Sequence, residues 1–326
     1  MTAVLDALNA NTPEKVHVGE ANPARRPATR DTVETVLDGV PTWRSLVELS
    51  KPKIALMVLV SVAVGYTVAA GLHGSPFSIG RLLVAFVGVA MASMSAAVLN
   101  QVIEHRTDAM MPRTAGRPIP SGRVSVAEAM AIAMTLGPWG LALLAVAVHP
   151  LCAIATGFTL VSYAFVYTVL KPRTAWAVFI GAIPGAMPPV IGAAATGTLG
   201  WDAAVLFAVL ALWQVPHFLA IAWKYRDQYA RAGLRMLPPD DADGQKTGLL
   251  AAATGALLVP VSLLLTPLAG TSWLAAGLVT LVSAWYAWRA VLFAADRCPR
   301  TAVRLLVASF LHLPAVLAIV AADAVL

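Results

Sequence analysis

Residues 82–123 read LLVAFVGVAMASMSAAVLNQVIEHRTDAMMPRTAGRPIPSGR. The first half is apolar over about the 20 residues a helix needs to cross a bilayer. The chain then turns polar abruptly at Asn100. Inside lipid every backbone group must be satisfied within its own segment, which leaves helices and closed barrels. This run is far too long for a barrel strand, so the reading is a transmembrane helix, and the fold class is all-α.

Beyond the apolar part, Asn100, Glu104 and Asp108 recur every four residues. If the helix continues through them, they drift by about 40° per step and share one face. Two carboxylates and an amide are hard oxygen donors of the kind Mg²⁺ takes together with substrate phosphates. Arg113, Arg117 and Arg123 follow, spaced by Gly116, Pro118, Pro120 and Gly122. Guanidinium groups match phosphate oxygens in bidentate fashion. Acids beside arginines at the lip of a membrane helix point to a lipid diphosphate. The competing reading, interfacial residues that only set topology, is open on spacing alone.

The rest of the chain has the same character. Of 326 residues, 59% are hydrophobic and 12% charged, and the mean hydropathy is +0.75. A soluble domain carries about 25% charged residues. About nine apolar spans are expected, at 54–72, 82–103, 126–148, 151–170, 175–196, 203–223, 248–268, 273–293 and 303–321. With nine spans, alternate loops carry Arg106 to Arg123, Lys171 and Arg173, Lys224 to Lys246, and Arg289 to Arg304; the other side has Arg81. The positive-inside rule then puts the N-terminus and the basic loops in the cytoplasm and the C-terminus outside. The net charge of +6 is spread over these loops and does not point to nucleic acid. Cys152 and Cys298 fall at opposite faces and cannot pair.

Residues 1–42 are polar and broken by Pro13, Pro23, Pro27 and Pro41. They read as a disordered cytoplasmic tail ahead of one nine-helix membrane domain at 43–326. Arg25, Arg26 and Arg30 suggest a transit peptide, but Glu14, Glu20, Asp31, Glu34 and Asp38 argue against one. The bacterial inner membrane is therefore expected. Residues 43–53 read as interfacial, with Trp43 and Lys51 as anchors.

Two further loops share the face of Asn100. In one, Lys171 and Arg173 flank the helix-stopping Pro172. Before the other, His217 lies inside an apolar run, where an ionisable side chain usually faces the bundle interior and marks a functional site. Trp213 and Gln214 lie about one turn earlier, and Pro216 should kink the helix and free a carbonyl. On a continuing helix, His217, Lys224 and Gln228 fall within about 20° of one line, with Asp227 about 80° off it. Span five is rich in Gly and Ala and carries Pro184, Pro188 and Pro189, a composition that lets helices approach closely. The last three spans read as scaffold or lipid-facing wall.

Three motifs now stand in order: NQ..E...D..M.RT..RP...G from 100, YT..KPRT from 167, and WQ.PHF.A.AW..R..Y..AG..ML from 213. Together they resemble the haem O synthase (protohaem IX farnesyltransferase) family of intramembrane prenyltransferases, over residue 51 to the end. The resemblance implies nine transmembrane helices around a central cavity. It implies transfer of a farnesyl group from farnesyl diphosphate to the C2 vinyl of haem b, with hydration, giving haem O for terminal oxidases. Asn100, Glu104 and Asp108 would form the metal–diphosphate motif for Mg²⁺, assisted by Arg113, Arg117, Lys171 and Arg173. His217 would contact haem, with Trp213, Gln214, Lys224 and Tyr229 around it. The family's second acidic position reads Gln228 here; Asp227 is the alternative, and a second Mg²⁺ site is in doubt. Competing functions are a prenyltransferase for a quinone precursor, a membrane transporter, and a non-catalytic haem-binding protein.

Overall fold

The computed structural model describes residues 42–326. The tail expected over 1–42 lies, apart from Thr42, outside the described residues.

Among the described residues, nine helices are long and apolar enough to cross a membrane. A short helix, α1 (Trp43–Ser50), precedes them, N-capped by the Thr42 side chain. The crossing helices are α2 (Pro52–Leu72), α3 (Ile79–Ala109), α4 (Val126–Ala147), α5 (Pro150–Leu170), α6 (Ala177–Ala195) and α7 (Trp201–Lys224). After α8 (Arg226–Arg231) come α9 (Gln245–Leu263), α10 (Leu265–Ala269), α11 (Trp273–Ala295) and α12 (Pro299–Val325). The expected spans are all present, with three local departures. α5 widens into a π-helical stretch at Ser162–Tyr167. α6 breaks at Met187 ahead of the Pro188–Pro189 pair, because proline cannot donate to the preceding turn. The seventh span ends at Leu263 and resumes as the separate α10.

All four basic loops gather at one end. Arg123 pairs with Glu48 at 2.8 Å. The Arg235 N–H donates to the Lys171 carbonyl at 2.8 Å. Trp223 Nε1 donates to the Arg297 carbonyl, and Arg297 Nε to the Asp243 carbonyl, both at 2.8 Å. The opposite end holds the His73–Asp202 pair at 3.1 Å. It also holds Asp323 near the C-terminus, which accepts from the Ser272 N–H at 2.8 Å. The alternation of loops deduced from charge is therefore the alternation of the fold.

Small residues let the backbones touch. A Cβ on Gly65 of α2 would lie 2.0 Å from the Pro189 carbonyl oxygen, and one on Gly192 of α6 would lie 2.0 Å from that of Val62. Without a hydrophobic drive between helices in lipid, such contact is the main source of association. Deeper among α9, α11 and α12, Ser262 donates to the Leu258 carbonyl (2.8 Å) and meets Ser283 (3.0 Å). Ser283 in turn meets His312 Nε2 at 3.1 Å.

Gly65→Ala should lower the melting temperature of the purified protein, because backbone cannot yield; overpacking of this kind costs about 1–3 kcal/mol or more. Gly277→Ala, with nothing within 4 Å of the added carbon, should leave it unchanged or raise it. Equal behaviour of the two variants in thermal unfolding would count against close α2–α6 packing.

Candidate active site

α3 does not stop where its apolar part ends. It continues as one helix to Ala109, so Asn100, Glu104 and Asp108 stand on one face and are all buried. The chain then folds back tightly. Thr114 Oγ1 donates to the Asp108 carbonyl at 2.9 Å. Gly122 takes a φ of +77°, a left-handed conformation that favours glycine. Arg123 donates to the Gly116 carbonyl at 2.6 Å. The fold-back brings Arg117 Nη1 to 2.5 Å from Asp108 Oδ2.

A cation meets each of the three α3 side chains. Besides Arg117 on Asp108, Lys171 Nζ stands 2.7 Å from Glu104 Oε1, and Lys51 Nζ donates to Asn100 Oδ1 at 3.1 Å. The Asn100 amide donates to Thr168 Oγ1 at 3.1 Å, and Thr168 donates to the Tyr163 carbonyl five residues back at 2.8 Å. The π turn thus seats Thr168 against α3. Burial opposes the charge on Lys171, but Glu104, with Tyr167 and Tyr163, outweighs it and holds the ammonium pKa above the ordinary lysine range. The Lys171 ammonium thus caps Glu104 Oε1.

Arg113 reaches across to the loop after α7. Its Nη2 donates to the Tyr229 hydroxyl at 3.1 Å, and its guanidinium lies 4.9 Å from the centre of the Tyr225 ring. Arg173 is exposed, with no side-chain bond among the described residues.

Beneath this polar cluster lies a cavity of about 540 Å³, within the range of sites for small organic ligands. It is mostly apolar, and reaches the lipid-facing surface at Ile54 and Phe310, 61% and 59% exposed. Asn100, Glu104 and Asp108 do not line it. Lys51 and Tyr167 do, and they join the two halves. Lys51 bonds Asn100, and Tyr167 lies under the Lys171 ammonium at 4.5 Å.

Trp213, Gln214 and His217 line the cavity. His217 stacks on Trp213 with ring centres 5.2 Å apart. Its Nδ1 is 2.7 Å from Ser309 Oγ. Ser309 lies 2.6 Å from the Leu306 carbonyl, which can only accept, so the hydroxyl proton goes there. Ser309 must then accept from His217, which puts the ring proton on Nδ1 and leaves Nε2 as a lone pair. α7 runs without a break through Pro216 to Lys224. Tyr286 donates to the Trp213 carbonyl at 3.0 Å and supports that turn. Gln214 Oε1 is buried without a donor.

Five expectations need correction. The helix carrying His217 ends at Lys224, and Tyr225 (φ −110°, ψ 19°) breaks its phase. The line from His217 through Lys224 to Gln228 is therefore lost. Lys224 is exposed, with Nζ 4.9 Å from the Tyr225 ring centre, and is not part of the cavity. Asp227 is 82% exposed on its side chain and 3.9 Å from Arg226, so it does not join the acids. Tyr229 serves Arg113 rather than the cavity. Gln228 Oε1 is buried without a donor. Finally, the last span is more than a wall, since Ser309, Phe310, Leu313 and Pro314 line the cavity.

Sequence reasoning treated Lys51 as an interfacial anchor. Its left-handed φ of 49° between α1 and Pro52, rare for a residue with a side chain, turns it into the site. A lysine directly before a helix-starting proline was the only available signal.

As a cation site, the cluster offers two carboxylates and one amide oxygen. Among the described residues, no group of three or more His, Cys, Asp or Glu side chains could hold a metal. The donors fit Mg²⁺ in its usual form, one or two carboxylates completed by substrate phosphates and water.

Residues 58–313 match the UbiA prenyltransferase family. The chain is 40% identical over 294 residues to a protoheme IX farnesyltransferase of Solibacter usitatus, covering 86% of this chain and 98% of that one. It is 38% identical over 284 residues to one of Salinibacter ruber, covering 86% and 98%. Among solved structures, one of digeranylgeranylglyceryl phosphate synthase is similar at a TM-score of 0.70 and 19% identity, covering 86% of this chain and 98% of that one. A UbiA homologue from Archaeoglobus fulgidus bound to GPP and Mg²⁺ is similar at 0.61 and 15%, covering 85% and 99%.

Lys171→Ala should destabilise the protein by about 3–5 kcal/mol, because it strands Glu104 as a buried charge. Arg173→Ala should cost under about 0.5 kcal/mol. The double change Glu104→Gln with Lys171→Ala should recover part of the loss. Denaturant or thermal unfolding of the three purified variants tests the pairing; equal stability of Lys171→Ala and Arg173→Ala would contradict it.

Proposed function

We propose how this chain, which belongs to the UbiA prenyltransferase family and within it to the protoheme IX farnesyltransferases, carries out its reaction. It transfers a farnesyl group from farnesyl diphosphate to the C2 vinyl group of haem b, with addition of water, and so makes haem O. It is a multi-pass membrane enzyme; we assign the basic loops to the cytoplasmic side of a bacterial inner membrane and the C-terminus to the other side.

In our reading the α3 face and its cations receive the diphosphate. Mg²⁺, held by Glu104 and Asp108 with the Asn100 oxygen, would neutralise charge on the leaving diphosphate. Lys51, Lys171 and Arg117, which otherwise rest on that face, turn toward the diphosphate oxygens. Arg113 and Arg173 approach from the loops beside them. Such preorganised donors act where charge develops as the allylic C–O bond breaks and its electron pair leaves with the diphosphate. The farnesyl chain lies in the apolar cavity lined by Tyr167 and Phe218, whose walls keep water from the allyl cation. The vinyl π pair of haem forms the new C–C bond. Water then adds to the resulting cation and loses a proton, so the protein supplies no nucleophile.

His217 binds the haem substrate. The lone pair on Nε2, fixed by the Ser309 contact, is the form of imidazole that ligates haem iron. Trp213 and Gln214 flank the porphyrin. Haem O passes to terminal oxidases. The single observation that supports this reading is the joining of a buried, cation-ringed acid face to an apolar cavity through Lys51 and Tyr167.

The test separates the two halves. Asp108→Asn should lower farnesyl transfer by about 100-fold or more while the haem bound per protein stays unchanged. His217→Ala should shift or abolish the haem absorption bands. Ser309→Ala should weaken haem binding by about 10- to 100-fold, as loss of a ligand's hydrogen-bond partner does, and Ser309→Thr should restore it. An unchanged haem spectrum in His217→Ala, or parallel loss of haem in Asp108→Asn, would refute the division of roles.

A further inference from the structure

A shallow groove lies outside the site described above, between α11 and α12. Trp285 and Arg289 form one wall; Val303, Arg304, Val307, Ala308 and Leu311 form the other. It shares no lining residue with the central cavity, which uses Ser309, Phe310, Leu313 and Pro314 from another face of α12. Val307 and Leu311 are 51% and 59% exposed, so the groove faces lipid.

The two arginines make the groove unusual. Arg289 stands six residues before the end of α11 and Arg304 five after the start of α12. At 1.5 Å per residue these are about 9 Å and 7.5 Å inside the helix ends. Both therefore sit near the boundary of the hydrocarbon, where an uncompensated charge is costly. Neither forms an ion pair with a carboxylate among the described residues. Arg289 lies over the Trp285 ring at 5.7 Å, which fixes its direction without neutralising it. The groove thus presents two positive charges at headgroup depth and an apolar floor running deeper along Val307 and Leu311.

We propose that this groove binds an anionic phospholipid. Its phosphate lies between Arg289 and Arg304, which offer paired N–H donors, and an acyl chain lies along Val303, Val307 and Leu311. A zwitterionic lipid carries its own cation to the same place and gains less. Basic pockets between membrane helices are recognised sites for acidic headgroups. This inference does not depend on the roles assigned to the central cavity.

The purified full-length protein is exchanged into phosphatidylglycerol or phosphatidylcholine of identical acyl chains, and retained lipid is counted by native mass spectrometry. Wild type should keep phosphatidylglycerol selectively. The Arg289→Gln, Arg304→Gln double variant should lose that preference by about tenfold or more, and Arg300→Gln, outside the groove, should keep it. Should the double variant fail to fold, Arg304→Gln alone, at an exposed position, should still weaken retention several-fold. Equal retention of the two lipids by wild type, or unchanged selectivity in the folded Arg304→Gln and double variants, overturns the proposal.

Discussion

Three cations leaning on one helix face hold the rest in place. Lys51, Lys171 and Arg117 come from three separate segments, and each ends on Asn100, Glu104 or Asp108 of α3. Burying such charges costs several kcal/mol per ion before pairing returns anything. Stability alone would be served as well by apolar side chains. The arrangement makes sense as a resting state for an anionic substrate. The α3 side chains keep the half-buried cations aimed, and the cations, with Arg113 beside them, outnumber the acids. In the function proposed above, a diphosphate arriving with its metal would exchange these contacts rather than create charge from nothing.

The consequences run outward from that face. The loop after α3 must fold back within a few residues to set Arg117 on Asp108, a turn that Thr114 fixes by donating to the Asp108 carbonyl. α5 must open into a π turn so that Thr168 meets Asn100 while Tyr163 and Tyr167 line the cavity. Such turns are uncommon and often mark functional positions. Tyr167 then sits at the junction, under Lys171 and stacked on Phe218 at 6.2 Å. The polar cluster and the apolar cavity thus share a wall, as a substrate with a charged head and a greasy tail requires.

The second half of the bundle supports the other end of the cavity. His217 depends on Ser309 for its tautomer, and Trp213 donates to the Ser309 carbonyl at 3.0 Å. Tyr286 of α11 secures the Trp213 carbonyl. α12 therefore faces two ways, inward with Ser309 and Phe310, outward with Arg304 and Val307. Lipid held on the outer face would bear on the helix that orients the histidine.

Hydropathy and charge in the sequence determined the number of spans, the common side of the basic loops and the shared face of Asn100, Glu104 and Asp108. These follow from periodicities of one helix and from the length of a bilayer, which are local properties. Lys51, Thr168 and Ser309 were not legible, because their roles rest on contacts between segments distant in sequence. The line from His217 through Lys224 to Gln228 fails for a related reason. A helical wheel assumes a continuous helix, and Tyr225 interrupts it where the loop packs on Arg113. The pairing of each acid with its cation, the π turn and the cavity were decided only by tertiary structure, since each requires two or more helices to meet before it exists.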